Sequence, residues 1–197
     1  MFNSLLIVIS GPSGAGKDTV INEIKRKSGS IHHTTTLTTR PKRNGEKDGI
    51  DYHFTSVNDF KRLIEQDGFL EWATVYGNLY GTPKEQIRQA LANGLDVITK
   101  VDVQGALAIK KQVPNALFIW ISAPSIEELD QRLRLRNSDS KKDIELRIKT
   151  AHEEIKQLHN FDNEVINRSG HAKKAAAEII DIIAKEKNRP NPRQITL

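Results

Sequence analysis

The stretch VISGPSGAGKDTVINEI, Val8 to Ile24, limits the folds open to this chain more than any other. The apolar run LLIVI, Leu5 to Ile9, precedes it, and Val20, Ile21 and Ile24 fall on one face of a helix. The order is therefore strand, glycine-rich turn, helix, a unit of α/β folds. Glycines at 11, 14 and 16 can take positive φ and turn backbone N–H groups inward, and Lys17 adds a mobile positive charge. Clustered phosphate oxygens suit that arrangement, so the turn reads as a phosphate-binding loop rather than an ordinary glycine turn. Against the pattern GxxxxGK[ST], Gly11, Gly16 and Lys17 are correctly spaced, but Asp18 stands between the lysine and Thr19.

A chain of 197 residues has room for one substantial core with small lobes attached. Cysteine is absent, which excludes disulfides and thiolate metal sites. The apolar N-terminal run lacks a basic n-region and passes straight into the loop, so it reads as a buried strand and not as a signal peptide. No apolar run approaches the roughly 20 residues of a membrane span, and the expectation is a soluble, cytoplasmic protein without a membrane partner. The net charge of +5 suits an anionic ligand or a nucleic acid. Aromatics make up only 6% and do not alternate with basic residues, so a nucleic-acid stacking platform is not expected. The basic residues gather instead at KRK (25 to 27), RPKR (40 to 43) and RLRLR (132 to 136). The first reads as a solvated helix face.

Further strands are expected at DVITKVDV (96 to 103), ALFIWIS (116 to 122) and NEVIN (163 to 167), which with LLIVI make a parallel sheet. Helices are expected at about 17–27, 56–66, 83–93, 104–111, 125–135, 141–158 and 171–186. Residues 34 to 96 carry polar turns and the dense GFLEWATVYGNLYGTP stretch and read as a separate lobe. RLRLRNSDSKKD followed by IELRIKTA reads as two helices joined by a charged turn. NRPNPRQITL, with two prolines and little periodicity, reads as a weakly ordered tail.

Four ordered pieces, TLTTRPKRNGEKDGIDYHF, FLEWATVYGNLYGTP, VDVQGA and RLRLRNSDSKKDIELRIKTA, follow the GPSGAGK loop. In this series the chain resembles the guanylate kinases, from the loop to EVIN. The resemblance implies an α/β P-loop nucleotide kinase with a parallel-sheet core (1–33, 97–125 and 149–188), an inserted GMP-binding lobe (34–96), a small lid (126–148) and a flexible tail (189–197). It also implies phosphoryl transfer from ATP to GMP or dGMP with Mg²⁺, by a monomer or homodimer.

By the same resemblance, ATP is held by Gly11, Pro12, Ser13, Gly14, Ala15, Gly16, Lys17, Asp18 and Thr19, with Asn167 on the adenine side. Lys17, Arg132, Arg136, Arg147 and Asp102 form the catalytic set. Arg132 and Arg136 share a helix face, whereas Arg134 faces solvent. The GMP phosphate falls to Arg40, Arg43, Tyr52 and Tyr80, and two guanidinium forks with phenolic donors suit a phosphate monoester. Guanine falls to Glu71, which can accept from N1–H and the exocyclic amine, with Thr36 and Thr82 donating toward O6. Thr19, and Asp102 through water, are the candidate Mg²⁺ partners.

Three positions depart from the family pattern. Thr36 replaces a common serine and keeps the hydroxyl. Lys100 stands where relatives commonly carry an acid, and its alternation with Asp102 along a strand suggests an ion pair between them. Asp18 replaces a small glycine and reads as an outward acid at a helix N-terminus. The alternatives are a ribose bisphosphate kinase of the same fold, suggested by GKD, and a noncatalytic guanylate-kinase-like binding module.

Overall fold

The computed structural model describes residues 3–75, 77–135 and 141–197. Its core is a five-stranded sheet in the order β2-β7-β1-β8-β9, formed by β1 (Leu6–Ser10), β2 (Ile31–His33), β7 (Asp96–Lys100), β8 (Leu117–Ser122) and β9 (Asn163–Ile166). Every pairing is parallel, with Ile7 opposite both Ile98 and Leu117. The central strand must be apolar on both faces because both are covered. Leu5, Ile7 and Ile9 pack with α1 (Lys17–Lys27) and α7 (Ala172–Lys187), while Leu6 and Val8 pack with α4 (Val103–Gln112).

The expected strand at 96–103 ends at Lys100. Asp102 instead caps α4, its Oδ1 accepting from Gly105 N at 2.7 Å. Strand alternation therefore does not bring Lys100 and Asp102 together. Five residues mark the carboxyl ends of the core strands: Gly11 after β1, His33 in β2, Lys100 in β7, Ser122 in β8 and Asn167 after β9. Ligands of such sheets bind at that end.

The lobe contains β3 (Leu37–Thr38), β4 (His53–Phe54), α2 (Val57–Glu65), β5 (Phe69–Val75), β6 (Asn78–Pro83) and α3 (Lys84–Ala92). Its strands form a second sheet, β4-β3-β6-β5, in which Glu71 lies opposite Thr82. Phe60 of α2 stacks on Phe69 at 4.4 Å. Ile87 and Ala90 of α3 join the core cluster below the main sheet, so this helix packs with the core although it falls within 34–96.

Helices α5 (Ile126–Arg134) and α6 (Lys141–Ile155) pack together through Leu129, Leu133 and Ala151. Arg136 lies outside the described residues. Residues 189–197, expected to be a flexible tail, form neither helix nor strand, yet they are not detached. Ile195 and Leu197 pack on the core, and Arg193 reaches Glu186 at 2.6 Å and Ala116 O at 2.8 Å. Among the described residues no helix is long and apolar enough to cross a membrane.

Candidate active site

The loop between β1 and α1 has a backbone only glycine can follow at its two ends. At Gly11, φ is 141° and a Cβ would lie 2.2 Å from Ile121 O. At Gly16, φ is 83° and a Cβ would lie 2.4 Å from Asn167 Nδ2. The close approach at Gly16 brings a brace: Asn167 Nδ2 donates to Ala15 O at 2.9 Å. Arg132 adds a second, donating to Asn167 O at 2.8 Å and Glu128 Oε1 at 2.6 Å, with a longer contact to Ala15 O at 3.4 Å. These two residues, expected at the adenine and at the transferring phosphoryl group, here hold the loop. Both line a cleft of about 570 Å³ with Gly14, Gly16 and Thr19.

A third brace was not expected from the sequence. Glu154 of α6 accepts from Ser13 N at 3.2 Å. Lys17 Nζ donates to Gly11 O at 2.5 Å and Pro12 O at 3.0 Å. Burial lowers the proton affinity of Lys17, and the carboxylates of Glu154 and Asp18 oppose that shift. The signal in the sequence was the seven-residue spacing of Arg147 and Glu154, two turns along one face of α6. Arg147 is half-buried on that helix, and Arg134 is 58% exposed near Glu145.

On the lobe side, Thr36, Tyr52, Glu71, Tyr80 and Asp102 converge on a cleft of about 260 Å³. Burial raises the proton affinity of the Glu71 carboxyl; the Thr82 hydrogen bond opposes this and the Asp102 charge adds to it. Thr82 is buried and donates its Oγ1 proton to Glu71 Oε1 at 2.8 Å, so that proton is directed at the carboxylate instead of outward to guanine O6. The other oxygen, Oε2, would lie 3.3 Å from a Cβ at Gly105, beside the N-terminus of α4. Arg40 stands behind Tyr52, its guanidinium 5.4 Å from the ring centroid and 2.6 Å from Glu46 Oε1. Tyr52 and Tyr80 meet edge to face at 6.0 Å. Arg43 is exposed on the following turn, where its backbone N–H donates to Glu46 at 2.8 Å. Glu46, which the sequence did not single out, thus joins both arginine positions. Lys100 pairs with Asp18, and both line the same cleft.

A strand-borne phosphate loop stands beside a cleft containing a desolvated carboxylate and two phenols. The family model described as guanylate kinase matches residues 3–186. The chain is 41% identical to the guanylate kinase of Carboxydothermus hydrogenoformans over 96% of its own length and 92% of the relative. It is 45% identical to that of Caldanaerobacter subterraneus subsp. tengcongensis over 94% and 89%. The chain belongs to the guanylate kinase family. A crystal structure of guanylate kinase from Anaplasma phagocytophilum superposes with a TM-score of 0.75 at 29% identity, covering 97% of this chain and 89% of that one. As a guanylate kinase, the chain is a nucleotide-binding phosphotransferase that uses ATP to phosphorylate GMP. Within this guanylate kinase Thr36, Tyr52, Glu71 and Tyr80 share one cleft, and Lys17, Arg132 and Asn167 bond to the loop's carbonyls.

Proposed function

We propose that this chain moves the γ-phosphoryl group of ATP directly onto a phosphate oxygen of GMP or dGMP, through the residues described above. The acceptor oxygen is largely ionised near neutral pH, so the reaction needs no strong protein base. It needs the two nucleotides in line, their mutual repulsion screened and the equatorial oxygens stabilised. Backbone N–H groups of the loop up to Lys17 hold the β-phosphate, and Lys17 exchanges the Gly11 and Pro12 carbonyls for phosphate oxygens. Arg132 and Arg147 face the donor from the lid side, with Arg136 assigned to the same task.

Glu71 reads guanine by accepting from N1–H and the exocyclic amine. Thr82 reads it indirectly, by fixing the carboxylate. Tyr52, Tyr80, Arg40 and Arg43 hold the GMP phosphate, with Arg40 trading part of its bond to Glu46 for the substrate.

Among the described residues no three His, Cys, Asp or Glu side chains gather as a metal site. The oxygen donors beside the loop, the exposed Thr19 hydroxyl and, through water, the Asp102 carboxylate, suit Mg²⁺ carried in on ATP phosphates. Held there, Mg²⁺ would supply charge neutralisation for the ATP phosphates.

The observation that carries the reading is the Thr82-fixed Glu71 carboxylate facing a cleft next to the Lys17 loop. The test is coupled ADP production with GMP, dGMP, AMP, UMP and ribose 1,5-bisphosphate. GMP-dependent turnover that also requires Mg²⁺ is expected. Preferential turnover of the ribose compound, or saturable peptide binding without transfer, overturns it.

A further inference from the structure

Asp18 and Lys100 come from two elements that frame the phosphate loop. Asp18 is the second residue of α1, directly after Lys17, and Lys100 is the last residue of β7. Their side chains are hydrogen-bonded as an ion pair, 74% and 47% exposed. A pair so open to solvent adds little to fold stability. Its position has more consequence than its strength, because both residues line the cleft that also contains Glu71, Tyr80 and Asp102.

The first turn of α1 is where loop amides and the helix dipole gather phosphate charge. A carboxylate there favours the helix but opposes a triphosphate. Lys100 is a cation paired with it. The two charges are also felt at the neighbouring Lys17, whose proton affinity Asp18 raises and Lys100 lowers. Along the sequence the two residues are separate departures from the family pattern; in the fold they meet.

We infer that Lys100 is a positioning residue for phosphoryl transfer: by holding Asp18 in an ion pair beside the loop, it keeps that carboxylate from opposing the nucleotide phosphates, so the two residues act as one unit. The inference rests on the ATP:GMP transfer proposed above. A structural role alone would change melting temperature, whereas this role changes the Michaelis constant for ATP and is reversed by removing the acid.

The experiment is steady-state kinetics, with ATP and GMP varied separately, on wild type, Lys100→Met and Asp18→Asn/Lys100→Met, each checked by thermal unfolding. Lys100→Met should raise KM for ATP roughly tenfold while kcat stays within about threefold. The double variant should recover most of that loss, because the carboxylate that Lys100 held is gone. Lys100→Gln replaces Lys100→Met in both arms if the methionine variant does not fold. A double variant as weak as the single one shows that Lys100 acts on the nucleotide itself and overturns the pairing. A wild-type KM in the single variant overturns it as well. If wild type fails to phosphorylate GMP, the function proposed above fails instead, and the wild-type assay shows this before any variant is compared.

Discussion

At the residue scale, Glu71 shows how far a sequence can point and where it stops. The flanking Phe69-Leu70 and Trp72-Ala73 announce a carboxylate held against apolar groups, which is how it sits. They do not announce that Thr82, opposite in the β5–β6 register, donates to it, because that contact depends on strand pairing across a turn. Glu71→Gln leaves one acceptor and puts an NH₂ group opposite one of guanine's donors. Losing the charge-assisted bond and adding that clash should cost about 2 to 5 kcal/mol, read as roughly 30-fold to several-thousandfold lower kcat/KM for GMP. ATP affinity measured without GMP should hardly change; a wild-type kcat/KM for GMP removes Glu71 as the reader. A pH dependence follows with a definite sign. Burial raises the carboxyl's proton affinity, so folding favours the protonated form, and that contribution is lost as pH rises through the folded pKa. Guanine's donors favour the ionised form, so the wild-type advantage over Glu71→Gln should shrink as pH falls toward that pKa. Taking the ratio of the two enzymes cancels the ionisation of the GMP phosphate itself.

At the element scale, long periodic segments were legible and short ones were not. The helix expected over 17–27 is α1 residue for residue, and the buried core strands follow their apolar runs closely. Strand β2 has only the three residues IHH, and β3 and β4 two each, so their pairing and not their pattern defines them. Helix α6 was expected for its arginine, but its carboxylate on the loop was not. Glu154→Ala removes the acceptor for Ser13 N and the largest charge opposing the lowered proton affinity of Lys17. The expected result is a rise of about 5- to 30-fold in KM for ATP, with kcat/KM for GMP at saturating ATP much less affected. Equal loss toward both nucleotides counts against a brace specific to the loop. In β2, the ring nitrogens of His33 are buried without hydrogen-bond partners. Burial, with Lys25 and His32 nearby, lowers its pKa to about 4. The neutral ring is tolerated in the fold while the unfolded chain takes up a proton near pH 6.5, so the stability present above that pH is lost as pH falls toward 4. His33→Phe should abolish this loss, which after allowance for partial exposure is about 1 to 2 kcal/mol between pH 7 and 4. Chemical denaturation at the two pH values checks it, and an unchanged pH difference assigns the loss to other groups.

At the scale of the whole molecule, the parallel sheet sorts function from stability by its two ends. Loop, cleft and Asp18–Lys100 pair gather where the strands finish, while the residues that anchor the tail gather where they begin. Arg193 meets Ala116 O and Asn115 O just before β8, Asp162 just before β9 at 3.3 Å, and Glu186 at the close of the antiparallel-running α7. None of this was legible in NRPNPRQITL, because two arginines and two spaced apolar residues make no periodic pattern. The α/β plan was legible, since buried runs mark its core strands locally. The tail's partners at Asn115 and Ala116 lie 77 residues or more from Arg193, beyond any local signal. Arg193→Ala should therefore separate the two ends. Its side chain is 15% exposed and is shared by two carboxylates and two carbonyls, so truncation leaves those acceptors partly unmet. The cost should be about 2 to 4 kcal/mol, or a melting temperature lower by about 5 to 10 °C in a chain of this size. Because the guanidinium's hydrogen bonds and ion pairs all sit at the strand-start end, kcat and both Michaelis constants at 25 °C should stay within about twofold of wild type. A tenfold fall in kcat with an unchanged melting temperature would mean that the tail acts on the active site through the sheet and not as a clasp on its far edge.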